Sequence, residues 1–293
     1  MSRFAYVNGR YVPHRDACVH VEDRGYQFAD GVYEVCEVRD AAMIDQTRHL
    51  DRLERSLREL RIPLPLSRSA LKVVMRETVR RNRVRNGLVY LQVTRGVARR
   101  DHAFPAPGTP PSLIVTAKSI SRETSDSAAQ EGVGVISVPD MRWGRVDIKT
   151  VGLLPNALAK QQAKEAGAKE AWLVDRDGYV TEGSSTTAWI VTADGVLVTR
   201  PNGNDILPGV TRMSLKDVAR REGIRIEERK FTVSEAKSAR EAFMTAASTI
   251  VIPIVSIDGV TVANGVPGSV AERLRAEFHR DVERTAVRRA WRG

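Results

Sequence analysis

The spacing of apolar positions changes period along the chain. In the first 44 residues short alternating runs dominate: Tyr6-Val7 and Tyr11-Val12 flank Asn8-Gly9, which predicts a tight hairpin, and residues 32–38 form a longer strand turning at Arg39-Asp40. Leu50, Leu53, Leu57 and Leu60 then recur at helical spacing and stop before Pro63. A second periodic stretch opens at Ser67 and runs through Leu71, Val74, Met75 and Val79. Residues 88–94 and 113–116 read as strands again. In the second half, 133–138 is a strand, 156–166 a helix closed by Gly167, and 211–221 a helix closed by Gly223. Hairpins turn at Asp175-Arg176-Asp177-Gly178, at Ala193-Asp194-Gly195 and at Asp258-Gly259, and a last helix starts near Ser269. Strands and helices are grouped rather than strictly alternating, which predicts an α+β fold. The stretch after residue 118 is polar and aperiodic, so the expected layout is an N-terminal domain 1–118, a linker 119–127 and a C-terminal domain 128–293.

Composition supports two domains, since 293 residues, 42% of them hydrophobic, exceed what one compact core usually organises. No apolar run approaches the roughly 20 residues of a membrane span, and the N-terminus lacks the apolar stretch of a signal peptide. The expectation is a cytoplasmic protein with no membrane partner. Cys18 and Cys36 are too few for a disulfide framework, and no second pair accompanies Cys18 and His20 at metal-ligand spacing, so no metal site is expected. The net charge of +10 raises nucleic-acid binding as a rival function. Against it, pairs such as Arg80-Arg81, Arg220-Arg221 and Arg288-Arg289 are mixed with acids, and 5% aromatic residues leave few stacking platforms. Solvated helix faces account for them, and no nucleic-acid partner is expected.

Familiar nucleotide fingerprints fail: Gly132-Val133-Gly134 lacks a third glycine and opens a strand instead of a helix. What stands out is a set of polar clusters. The first, Glu22-Asp23-Arg24-Gly25-Tyr26-Gln27-Phe28-Ala29-Asp30-Gly31-Val32-Tyr33-Glu34, crowds charges and glycines before an apolar strand, a density that solubility does not explain. The others are His49-Leu50-Asp51-Arg52, Arg100-Asp101-His102, Asp147-Ile148-Lys149-Thr150, Thr181-Glu182-Gly183-Ser184-Ser185, and Leu207-Pro208-Gly209-Val210-Thr211-Arg212.

In this order and spacing, over nearly the whole chain, the clusters resemble the class IV aminotransferases, the fold-type IV group of pyridoxal-phosphate enzymes. The resemblance implies two domains, each a mixed or antiparallel sheet or barrel with flanking helices, with the active site at their interface. It implies that Lys149 is the Schiff-base lysine in the C-terminal domain, joining pyridoxal 5′-phosphate and moving the proton between Cα and the cofactor, work suited to a partly desolvated amine. Glu182 matches the acid that pairs with the pyridine nitrogen and keeps the ring an electron sink. Arg52 aligns with an arginine that holds the phosphate, and Val210 and Thr211 stand at a predicted helix start, where backbone N–H groups suit an anion. A surface lysine, an exposed hairpin glutamate, a surface salt bridge and a helix N-cap are the plain alternatives for Lys149, Glu182, Arg52 and Thr211. The chain departs from the D-amino-acid enzymes at Ala246-Ala247-Ser248, where those relatives carry several hydroxyl residues near the phosphate. That part of the cup is then thinner or rests on Ser248 and Thr249.

Within the family, the run from Asp23 to Glu34, together with Gln92-Val93-Thr94-Arg95-Gly96, is most similar to the D-amino-acid aminotransferases. There an Arg-x-His on a loop, here Arg100 and His102, acts with a tyrosine matching Tyr33 as a trap for the substrate α-carboxylate, a planar anion that a guanidinium fork suits. The loop is implied to reach the neighbouring subunit's site, hence a homodimer. The implied reaction is transamination between a D-amino acid and a 2-oxo acid such as 2-oxoglutarate or pyruvate. Branched-chain L-amino-acid or (R)-amine aminotransferase and aminodeoxychorismate lyase remain alternatives, as does a plain basic turn at Arg99-Arg100.

Overall fold

The computed structural model describes residues 3–121 and 123–290, with side chains to 281. The basic pair Arg288-Arg289 and the last three residues of the expected C-terminal domain therefore lie outside the described side chains or residues. The chain divides into two compact units, one of residues 1–121 with 148–152, the other of residues 122–147 with 153–293.

In the first unit the Asn8-Gly9 turn joins β1 (Phe4–Val7) to β2 (Arg10–Pro13), both turn residues having positive φ. A short helix α1 (Arg24–Phe28) leads into β3 (Gly31–Arg39), and β4 (Ala42–Met43) follows. Next come α2 (Gln46–Glu59), α3 (Arg68–Arg81), β5 (Gly87–Thr94) and β6 (Ser112–Ser119). The strands form one antiparallel sheet in the order β2-β1-β6-β5-β3-β4. Alternation along β3 buries Val32, Glu34, Cys36 and Val38, and the leucine stripe Leu50, Leu53, Leu57 of α2 joins the same core. Each such leucine contributes roughly 2 kcal/mol of burial. Glu34 is the one charged member of that buried face, and its partners form part of the site.

The second unit contains α4 (Glu123–Glu131), β7 (Val133–Pro139), α5 (Leu154–Glu165), β8 (Glu170–Val174), β9 (Val180–Gly183), β10 (Thr187–Val191) and β11 (Leu197–Thr199). It continues with α6 (Val210–Arg221), β12 (Ile226–Glu228), α7 (Val233–Lys237), β13 (Glu241–Ala246), β14 (Ile250–Ile257), β15 (Val260–Thr261) and α8 (Ser269–Ala290). Its nine-stranded sheet is mixed: β12-β11-β10-β13-β14-β7-β8-β9, with β15 on β14, and with parallel pairs at β11–β12, β14–β7 and β7–β8. Strands β8 to β11 are buried almost throughout, and Trp172, Ile190 and Val198 belong to one core with Phe231, Met244 and Ile252.

Two features differ from the sequence reading. The expected linker 119–127 is occupied from Glu123 onward by α4, a polar helix whose only buried residue is Ala129, which is why no apolar stripe announces it. Lys149, expected in the C-terminal domain, lies in a segment that belongs to the first unit. Ile148 is buried in that unit's core, Tyr33 N–H donates to the Lys149 carbonyl (3.0 Å), Val151 N–H donates to that of Gly31 (3.0 Å), and Thr150 bridges to Val32. Backbone pairing to β3 outweighs sequence adjacency to the second half.

Candidate active site

In the first unit, the Lys149 ammonium sits 4.1 Å from the centroid of the Tyr33 ring. Backbone pairing fixes this contact, because the hydrogen bond between Tyr33 and Lys149 sets the two residues side by side. The Lys149 N–H itself donates to Ser56 Oγ on α2 (3.3 Å). Tyr33 stacks on Tyr90 (5.7 Å between centroids), the two rings being brought together by the β3–β5 register, and the Tyr90 hydroxyl donates to Gln92 Oε1 (2.7 Å). Burial, with Tyr33 adding to it, pushes the Tyr90 phenol up to about 12, so it stays a neutral donor.

Glu34 points into the core and receives three hydrogen bonds. Arg52 donates from Nε to Oε1 (2.7 Å) and from Nη2 to Oε2 (2.8 Å), a bidentate pair, and His49 Nδ1 lies 2.7 Å from Oε2. Burial alone would raise the carboxyl pKa, but the Arg52 charge and hydrogen bonds, followed by those of His49, hold it down to about 2. Since the carboxylate has no proton to give, the histidine is the donor at Nδ1. Arg52 is thus in a salt bridge, though a buried one, and its guanidinium direction is set by Glu34.

Arg100 and His102 are exposed and share one neighbour, Phe28: the Arg100 guanidinium lies 4.7 Å from that ring's centroid and the imidazole 5.5 Å. Among the described residues no hydrogen bond, ion pair or ring contact joins either of them to Tyr33 or Lys149.

In the second unit, Glu182 is buried at the end of β9, where it pairs with Arg142 through Oε1 and accepts the Leu207 N–H (3.2 Å). Arg142 is gripped from the other side by Asp140 (Nε to Oδ1 2.9 Å, Nη2 to Oδ2 2.7 Å), and Thr181 Oγ1 donates to Asp140 Oδ2 (2.7 Å). Despite burial, these carboxylates raise the Arg142 pKa still further, so a fixed positive charge abuts Glu182. Sequence reasoning does not single out Arg142. Its only signal there is the charge density of Asp140-Met141-Arg142 shortly before the lysine cluster.

Gly209, not Thr211, is the N-cap of α6, so Val210 and Thr211 are the first two helical residues, both buried. A Cβ on Gly209 would lie 3.0 Å from Thr187 Oγ1, and Thr187 is the register partner of Thr245 on β13. The helix start therefore lies beside the end of β13 and the turn 246–249. That turn is strained: Ile250, β-branched, holds φ +62°, while Arg275 takes the carbonyls of Thr249 (2.7 Å) and Val251 (2.9 Å). Thr249 Oγ1 is buried there with no hydrogen-bond partner among the described residues.

The first unit carries an amine on an aromatic ring, and the second a buried carboxylate and a helix start near a buried threonine hydroxyl, kinds of group that an aldehyde cofactor with a phosphate requires. Groups of these kinds suit a cofactor-dependent enzyme acting on amino groups. Similarity to known proteins narrows the class. The family described as amino-transferase class IV matches residues 31–257. The D-alanine aminotransferase of Bacillus licheniformis is 40% identical over 275 residues, 94% of this chain and 95% of that protein. That of Staphylococcus haemolyticus is 38% identical over 95% of this chain and 97% of its own. The solved branched-chain amino acid aminotransferase of Escherichia coli superposes with a TM-score of 0.88 at 25% identity, covering 95% of this chain and 94% of that one. A second branched-chain amino acid aminotransferase, solved with pyridoxamine 5′-phosphate, does so with 0.87 at 28%, covering 96% and 94%. The chain belongs to the class IV aminotransferases, and with them to the pyridoxal-phosphate-dependent enzymes.

Proposed function

We propose that this aminotransferase moves the amino group between a D-amino acid, such as D-alanine or D-glutamate, and a 2-oxo acid, 2-oxoglutarate or pyruvate. The observation that carries the reading is the pair Arg100 and His102 gathered on Phe28, a guanidinium and an imidazole displayed together as donors that suit a carboxylate. Relatives named D-alanine aminotransferase, similar over nearly their full length, support it.

Pyridoxal 5′-phosphate, when bound, supplies the electron sink for a carbanion at Cα. The chain's residues do the rest. Lys149 would hold the cofactor through its amine and, when free, its Nζ would act as the base that moves the proton at Cα. The Tyr33 ring under its ammonium holds it in place. Glu182, beside the permanent cation of Arg142, would pair with the ring nitrogen of the bound cofactor. In the second unit Val210, Thr211 and the Thr249 hydroxyl would offer hydrogen bonds to the phosphate, and in the first unit Arg52, its orientation set by Glu34, would offer it a guanidinium.

Because one lysine serves one face, Cα–H must point to that face for either enantiomer. Enantiomer choice then follows from where the carboxylate is held. With Tyr33, Arg100 and His102 holding it, the D-form presents its hydrogen to Lys149. We further propose a cytoplasmic homodimer in which each Arg100–His102 loop serves the partner's site. No helix among the described residues is long and apolar enough to cross a membrane. Replacing Arg100 with leucine tests the trap: kcat/KM for D-amino acids should fall by about 2 to 4 kcal/mol with the cofactor still bound. Unchanged kcat/KM would sink the assignment.

A further inference from the structure

The loop 97–111 has few backbone hydrogen bonds of its own beyond Thr109 N–H to Ala106 (3.3 Å), yet it must present Arg100 and His102 in a fixed arrangement. What holds it lies in the charged cluster before β3. Arg24, 3% exposed, donates from Nη1 to the carbonyl of Asp101 (2.6 Å), the residue between Arg100 and His102. Its Nε donates to Asp30 Oδ2 (2.8 Å), which fixes the guanidinium plane, and its centre lies 4.7 Å from the Phe28 centroid. Phe28 is the same ring against which Arg100 and His102 rest. The backbone repeats the coupling: Arg24 N–H donates to Gly96 (2.9 Å), Ala98 N–H to Glu22 (3.3 Å), and Asp23 bridges to Val97.

Further out, Arg95 shares the Asp30 carboxylate (Nε to Oδ2 2.7 Å, Nη2 to Oδ1 2.9 Å) and lies 3.7 Å from the Phe104 centroid, pinning the loop beyond His102. One carboxylate thus serves two buried guanidiniums.

We infer that Arg24 and Phe28 are specificity-determining positioning residues: by fixing the Asp101 carbonyl and the two flanking side chains, they preorganise the carboxylate-binding pair. The inference rests on the trap reading proposed above. It requires no contact of Arg24 with substrate, and a side chain locked by buried partners holds a binding pair more accurately than a mobile loop does. Asp30 is also paired with Arg95, so replacing Arg24 does not strip that carboxylate of its other counter-ion.

The test compares Arg24→Ala, Phe28→Leu, Phe28→Tyr and Arg100→Leu as cofactor-loaded enzymes. Measured are kcat and KM for D-alanine and L-alanine, the rate with an amine donor lacking a carboxylate, and the cofactor's visible absorption. Arg24→Ala and Phe28→Leu should lose about tenfold or more in kcat/KM for D-alanine, mainly through KM, with the D/L ratio falling alongside. Absorption and the rate with the carboxylate-free amine should not move, and Phe28→Tyr, which keeps the ring, should match wild type. A merely structural role would depress all donors equally and overturn the inference. So would an unchanged D/L ratio in Arg24→Ala and Phe28→Leu while Arg100→Leu loses it. If Arg100→Leu itself changes nothing, the trap reading fails and takes this inference with it.

Discussion

Replacing Glu34 with glutamine removes the charge that Arg52 and His49 share while keeping the side chain's volume. Glu34 is 1% exposed and Arg52 8%, so the variant leaves a guanidinium buried without its counter-ion. The carboxyl pKa falls from an ordinary 4.5 to about 2 in the folded protein. At 1.36 kcal/mol per pH unit this amounts to about 3 kcal/mol of stabilisation, in the range of about 3 to 5 kcal/mol expected when one partner of a buried pair is removed. Because the folded pKa is depressed, the stabilisation is complete above pH 4.5 and is lost as pH falls toward 2. Urea unfolding of the cofactor-free protein, followed by far-ultraviolet circular dichroism, reads the difference directly. The gap between wild type and Glu34→Gln should be about 3 kcal/mol near neutral pH and should narrow below about pH 4.5. Replacing Arg52 with methionine in the same chain should recover much of it, since the stranded charge goes too. A gap under about 1 kcal/mol, the scale of an exposed pair, or one that does not narrow in acid, would refute the reasoning.

Three further outcomes follow from the proposed roles. Borohydride treatment of the loaded enzyme should bleach its visible band and fix the cofactor on Lys149, read by peptide mass; fixation on another lysine would displace Lys149 from its role. Glu182→Gln should still bind cofactor but lose about two orders of magnitude or more in turnover, roughly 3 kcal/mol of barrier, whereas near-normal turnover would remove Glu182 as the ring partner. Mixing Arg100→Ala chains with Lys149→Ala chains should restore part of the activity through one intact site per mixed dimer, and no recovery after confirmed subunit exchange would argue that the loop serves its own chain.

Much of this is legible in the sequence where a local rule applies. The leucine stripe of α2 is buried as its period predicts, with Leu53 at 0% and Leu57 at 2%, and the turns at Asn8-Gly9, Asp175–Gly178 and Asp258-Gly259 fall where their residues require them. What the sequence hides depends on contacts between distant segments. Glu34 stands inside a recognisable cluster, but its pairing with Arg52 follows from β3 passing under α2, 18 residues away. Arg24 and Asp30 likewise show as charge density, without a sign that one reaches Asp101, 77 residues on. Arg142 has no motif at all; only the fold sets it between Asp140 and Glu182. The segment of Lys149 reads as part of the second half because it follows β7, yet its backbone is paired to β3.

The central claim is that the carboxylate trap makes this class IV aminotransferase a D-amino-acid enzyme, and one donor panel tests it most directly. Both enantiomers of alanine, glutamate, leucine and valine, with (R)-1-phenylethylamine added, would be assayed against 2-oxoglutarate and pyruvate, and initial rates compared at equal concentration. D-alanine and D-glutamate should react far faster than their L-forms, with the amine slow. Preference for L-leucine, L-valine or the amine over every D-amino acid tested would contradict the account and leave only family membership standing.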